Sequence, residues 1–355
     1  MSEPVVVTSW PSIPIEIIRA AGFRPVIARG SADPTPTADA HLEAGIFPSR
    51  LRHLVEDALT GRLAHASRII IPRTSDADYK CFLYLREFVR RGIASRLPPV
   101  VLFDLLQSHS ADVRAYDAAR THALLDELAS ASGRRPSADD LRREITRTNA
   151  ARTAARLLAA LRRITPRVTG TEVFPLLAAF WEMEPDRYVT LATESAREFA
   201  ARPPLVGARV LLAGAPVDSP ALHQAIESHD AVVVAEIGPW GSGAPGDDVR
   251  RDGDPGSALA DRYRADSIGA RTPVETVRRW TERMLEGVDA VVVSMPPDDA
   301  VFGWDYPALR DLLEARGIPH ACLRGDQHRP PTRAEHAALE AIVTTASRLQ
   351  EAGRG

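Results

Sequence analysis

The chain has 355 residues, with 44 Lys and Arg against 47 Asp and Glu and a formal net charge of −3. That balance gives no reason to expect nucleic acid or an anionic membrane as partner, and no run reaches the roughly 18 apolar residues of a membrane span. Only Cys81 and Cys322 are present, which excludes a disulfide framework and any cluster held by three or four thiolates of this chain alone.

The N-terminus runs from an acidic third residue straight into Val5-Val6-Val7-Thr8-Ser9, a β-branched run that reads as a buried strand. With no basic stretch ahead of it, no signal peptide is expected, and the cytoplasm is the expected compartment. Residues 13–21 are apolar at helical spacing and stop at Gly22, a helix terminator. Residues 25–28 read as a second strand, 50–61 as an amphipathic helix, 68–72 as a third strand, 79–91 as a helix and 99–103 as a fourth strand. From about 111 to 202 strands are absent, and helical spacing is interrupted by Gly133-Arg134-Arg135-Pro136-Ser137. Ser137 with Asp140 approximates a capping box opening a helix with one Arg-rich face. Strand signals return at 209–213, 231–235, 290–293 and 320–323, and 238–256 reads as a long, mobile loop.

The expected fold is therefore α/β: two doubly wound, Rossmann-like parallel-sheet domains with an inserted helical subdomain. The boundaries are 1–109, 110–204 and 205–355. The two α/β blocks look like a weak internal duplication.

Ligands of such sheets sit at the carboxyl ends of the strands, which selects Ser9, Trp10, Arg73, Ser75, Asp76, Glu236, Trp240 and Arg324. Ser75 is a candidate to hydrogen-bond substrate, and Asp76 reads first as the cap of the following helix. Glu236 is either a general acid or base with a raised pKa or a solvated loop carboxylate. The Gly238–Gly243 stretch lacks phosphate-loop spacing and reads as a flexible loop, with Trp240 as a substrate-side aromatic. Trp10 lines a ligand pocket or packs in the core. Arg324 could meet a diphosphate or lie in an exposed loop. His41, His53, His65 and His109 are scattered, Pro330 and Pro331 break any helix linking His328 to His336, and no metal site is expected.

Five phrases in order carry a resemblance: residues 15–26; Ile70-Ile71-Pro72-Arg73-Thr74-Ser75-Asp76; residues 132–152; residues 210–220; and Tyr306-Pro307-Ala308-Leu309 followed by Gly317-Ile318-Pro319 and Gly325-Asp326. Together they make the chain similar to subunits of the 2-hydroxyacyl-CoA dehydratase and benzoyl-CoA reductase family. The resemblance implies acyl-CoA substrates, a pair of related subunits, a [4Fe-4S] cluster held by three cysteines and a separate ATP-dependent activator. It also places the three ligand cysteines where this chain has Phe47, Ser75 and the Pro296 region. Serine is a poor iron–sulfur ligand, and Phe and Pro are none.

The expectation is a cluster-free subunit of a dehydratase-like (lyase) heterodimer. A cysteine-bearing sister would hold the cluster, with no cofactor on this chain, and the two would share an acyl-CoA or carrier-bound thioester cleft. Alternatives are a stand-alone thioester enzyme with cluster-independent chemistry, or a non-catalytic scaffold or regulatory subunit.

Overall fold

A computed structural model describes residues 3–108, 110–265, 271–297, 299 and 301–352. His109 and Asp298 lie outside the described residues. The chain divides into two compact units, the first comprising residues 1–152, 181–187 and 246–271, the second 153–180, 188–245 and 272–355. The helical stretch expected at 110–204 is thus divided between the two.

Unit one is built on a four-stranded parallel sheet, β1 Val5–Thr8, β2 Arg24–Ile27, β3 Ala66–Pro72 and β4 Val100–Phe103, in the order β2-β1-β3-β4. All four residues of β1 are buried, as a central strand covered on both faces requires. The connecting helices are α1 Ile15–Ala20, the short α2 Pro36–Asp39, α3 Ser49–Leu59 and α4 Asp76–Arg90. Gly22, at φ +87°, takes the left-handed turn after α1 that an L side chain resists. Leu51, Leu54 and Val55 of α3 and Cys81, Leu85 and Phe88 of α4 form a core with Ile69 and Ile71 of β3.

After β4 come α5 Ala111–Ser132 and α6 Ala138–Ala160. The Ser137 cap is present: its hydroxyl accepts from the Asp140 amide at 3.1 Å, while its own amide donates to Asp140 Oδ2 at 2.9 Å. The next helices are α7 Gly170–Ala178 and α8 Pro185–Ala200.

Unit two carries a second parallel sheet, β5 Ala208–Gly214, β6 Ala231–Glu236, β7 Ala290–Ser294 and β8 His320–Leu323, in the order β6-β5-β7-β8. Its topology repeats that of the first sheet. Five helices complete the set: α9 Ala221–Glu227, α10 Pro255–Ala265 (which belongs to unit one), α11 Val274–Met284, α12 Phe302–Ala315 and α13 Arg333–Ala352. The register pairs Gly214 with Ser294 and Ser294 with Leu323, so the carboxyl ends of β5, β7 and β8 lie level. No helix among the described residues is long and apolar enough to cross a membrane.

Candidate functional site

The carboxyl end of β1 delivers Ser9 and Trp10, and that of β3 delivers Arg73, Thr74 and Ser75. Between them Arg50, from the first turn of α3, meets Asp78 of α4 at 2.8 Å, with the Asp78 side chain fully buried. The same guanidinium nitrogen donates to the Ser9 carbonyl at 3.1 Å, and the group lies 4.7 Å from the Trp10 ring centre. Asp78 Oδ2 accepts from the hydroxyls of Thr74 at 2.5 Å and Ser75 at 2.8 Å. The Ser9 hydroxyl is buried with no hydrogen-bond partner among the described residues.

Ser75, not Asp76, caps α4. Its backbone is extended (φ −153°, ψ 169°) and its hydroxyl accepts from the Asp78 amide at 3.1 Å. Asp76 is the first helical residue and is exposed. The spacing Ser75-x-x-Asp78 is the capping signature, visible in the sequence once Asp78 rather than Asp76 is chosen as its acidic partner. Ser75 has therefore used its proton and one lone pair within the chain, which leaves one lone pair for anything else.

Arg73 is also tied. It pairs with Asp104 at 3.3 Å and lies 4.7 Å from the Tyr79 ring centre. Arg271 binds the other Asp104 oxygen at 3.0 Å and the Arg73 carbonyl at 3.2 Å.

In unit two, Glu236 at the end of β6 is neither a solvated loop carboxylate nor a raised acid. It is fully buried, takes Arg162 at 2.6 Å and the Ser242 amide at 2.8 Å on one oxygen, and has His223 Nε2 at 3.3 Å from the other. Burial alone would raise its pKa. The Arg162 charge, followed by the His223 hydrogen bond and charge, outweighs burial and brings it down to about 2. Such a carboxylate has no proton to give near neutrality.

The loop that follows is not slack. Trp240 is buried, Ser242 also accepts from Arg162 at 3.0 Å, and a Cβ on Gly241 would fall 1.3 Å from the Glu236 carboxylate. Only glycine lets the backbone close over that group. The sequence pattern missed this because Gly, Pro and Ser are common to mobile loops and to tight, pinned ones.

At the ends of β5 and β8, His328 is held between two carboxylates, with Nε2 2.6 Å from Asp218 and Nδ1 3.2 Å from Asp326. Burial pulls its pKa down, but the two partners, Asp218 first, carry it above the ordinary histidine value. Arg324, after β8, is exposed. The structure thus brings Ser9, Trp10 and Ser75 together in unit one around Arg50 and Asp78, neither of which the sequence reading selected. Glu236 and Trp240 belong to a separate buried cluster in unit two.

Two four-stranded parallel sheets among helices define an α/β protein with two parallel-sheet domains. The family model described as 2-hydroxyglutaryl-CoA dehydratase, D-component, matches residues 12–342. The chain belongs to that family. No individual curated protein matches it.

The resemblance to iron–sulfur subunits can be tested on the donor atoms present. Phe47 is 2% exposed and packs edge-on against Tyr84 at 5.6 Å. Ser75 is the α4 cap, and Pro296 has no donor. Cys81 is in the core of unit one, its thiol pushed up to about 12 by burial first and Asp78 second. Cys322 is partly buried in β8. Among the described residues no three His, Cys, Asp or Glu side chains gather to hold a metal. This donor set does not fit a [4Fe-4S] cluster.

Proposed function

We propose that this chain is the cluster-free component of a 2-hydroxyacyl-CoA dehydratase-like heteromer of the cytoplasm. A cysteine-bearing sister subunit holds the [4Fe-4S] cluster, an ATP-dependent activator serves that sister, and this chain completes the acyl-thioester site. What supports the reading is the set of residues at the three positions that the resemblance assigns to cluster cysteines, in a chain that the family model matches over residues 12–342. Phe47 is core, Ser75 is a helix cap and Pro296 is inert.

In this reading the polar strand ends of unit one face the thioester and its coenzyme A or carrier handle. The buried Ser9 hydroxyl supplies a hydrogen bond, and Trp10 and Arg50 supply a flat cationic wall. Ser75 positions Asp78, and Glu236, held as a buried carboxylate beside Arg162, stabilises unit two with Trp240 rather than moving a proton.

The test is co-expression with a cysteine-bearing homologue encoded nearby. The two should purify together with cluster iron on the complex, while this chain alone is colourless and iron-free. Stoichiometric iron and the matching visible absorbance in the lone chain would reverse the reading. So would turnover of a thioester by the lone chain without reductant or ATP, which would favour a stand-alone enzyme.

A further inference from the structure

Unit two contains a cavity of about 270 Å³ that the thioester reading does not use. Its floor is Ala213 and Gly214 at the end of β5 and Val293 near the end of β7. Its walls are α11 and α12, with Val277, Phe302, Tyr306 and Leu309 among the lining side chains. This is the carboxyl end of a parallel sheet, where ligands of such folds collect. The lining is overwhelmingly apolar, and Val274 at the mouth is 59% exposed, an apolar surface that a ligand would cover.

The few polar groups on the wall set the sign of what can enter. Arg278 is the cation among them, and Glu275 and Glu282 each hold it at 2.7 Å. The Thr281 hydroxyl is spent on the Val277 carbonyl at 2.9 Å. Asp305 faces the cavity, and burial, then Asp299, pushes its carboxyl above the usual range. An entering carboxylate would meet acidic groups and no available cation.

We propose that this cavity binds an uncharged apolar group, the size of an aromatic ring or a chain of six to eight carbons, and rejects an anionic one. The size follows from comparison: an apolar cavity of about 150 Å³ already takes a benzene. Two sources share this chemistry, the acyl tail of a thioester and a free apolar molecule. The inference is independent of whether the chain has an iron-bearing partner.

The test uses the full chain and the neutral dye N-phenyl-1-naphthylamine, whose fluorescence rises in apolar surroundings. The wild type should bind one dye, displaced by 1-octanol and, on the order of tenfold less well, by octanoate. Val277→Trp, which fills the cavity, should abolish dye binding, and Ala308→Phe, on the opposite wall, should do the same if the first variant fails to fold. Asp305→Asn should strengthen octanoate several-fold and leave octanol unchanged.

Displacement by octanoyl-CoA but not glutaryl-CoA assigns the group to a thioester. Displacement by octanol alone assigns a free ligand. Both support the cavity. Equal dye binding by wild type and a folded, filled variant, or equal displacement by octanol and octanoate, overturns it. Either failure leaves co-purification with an iron-bearing sister unaffected, so the two readings fall separately.

Discussion

The two sheets have the same strand order and the same parallel sense, yet their carboxyl ends are furnished in opposite ways. In unit one the strand ends present a polar network, Ser9, Arg50, Thr74, Ser75 and Asp78, in which the buried Ser9 hydroxyl has no hydrogen-bond partner among the described residues. In unit two the carboxylate at the end of β6, Glu236, is sealed by Arg162, His223 and a glycine loop, and the open space beside the ends of β5 and β7 is apolar. The scaffold does not decide this. A few side chains placed just past each strand do, which is why one topology can carry a polar network in one unit and an apolar cavity in the other.

The comparison is most easily broken at the buried ion pairs. Among the described residues, unit one holds Arg152 with Glu16 at 2.6 Å, where Tyr263 also donates to Glu16 at 2.8 Å, and unit two holds Arg162 with Glu236 at 2.6 Å, all four charged side chains at most 1% exposed. Removing one partner strands a buried charge, so Glu16→Gln and Glu236→Gln should each cost about 3–5 kcal/mol in urea unfolding. Burial opposes both carboxylates and the neighbouring arginine overrides it, so both pKa values are lowered. For groups of that sign the stabilisation is present above the ordinary value of 4.5 and disappears as pH falls, through about 2 for Glu236. A loss below about 1 kcal/mol for Glu236→Gln would mean its site is solvated after all, and that the sealed description of unit two is wrong.

A smaller effect separates the strand ends within unit two. His328 has a raised pKa, so its pairing with Asp218 and Asp326 is complete below the ordinary histidine value of 6.5 and fades as pH rises through the folded value. Breaking the shorter contact with Asp218→Asn should cost about 1.5–3 kcal/mol near pH 5.5, with less loss near pH 8.5. Thermal unfolding across that range reads the difference. A pH-independent loss would show that the histidine is neutral throughout.

Most of the scaffold could be read from the sequence, because β-branched runs and glycine stops report local physics. Val5–Thr8 and Ala231–Glu236 are buried on both faces and look it. The Ser137 cap was equally visible. The site was less so. Arg50 and Arg152 sit in helices and Arg162 just past the end of α6, where arginine ordinarily means a solvated face, and each finds its carboxylate 28, 136 or 74 residues away. No local pattern encodes such a pair. Glu236 was misjudged for the same reason: the end of a strand is legible, but the cation that comes to meet it is not.

The smallest predicted effect lies at the residue the two readings of unit one dispute. Ser75 is either a helix cap that holds Asp78 or a hydroxyl turned to a substrate. As a cap, Ser75→Ala should cost about 1 kcal/mol, and Ser75→Thr should recover most of it, since threonine caps nearly as well. The α4 amide of Asp78 loses its acceptor in the alanine variant and should exchange faster with solvent hydrogen, while amides deeper in α4 should not. If Ser75→Ala leaves stability unchanged and instead weakens thioester binding by the assembled complex, the hydroxyl belongs to the ligand. Asp78 would then depend on Thr74 and Arg50 alone, and the polar end of unit one would be an open site rather than a closed bridge.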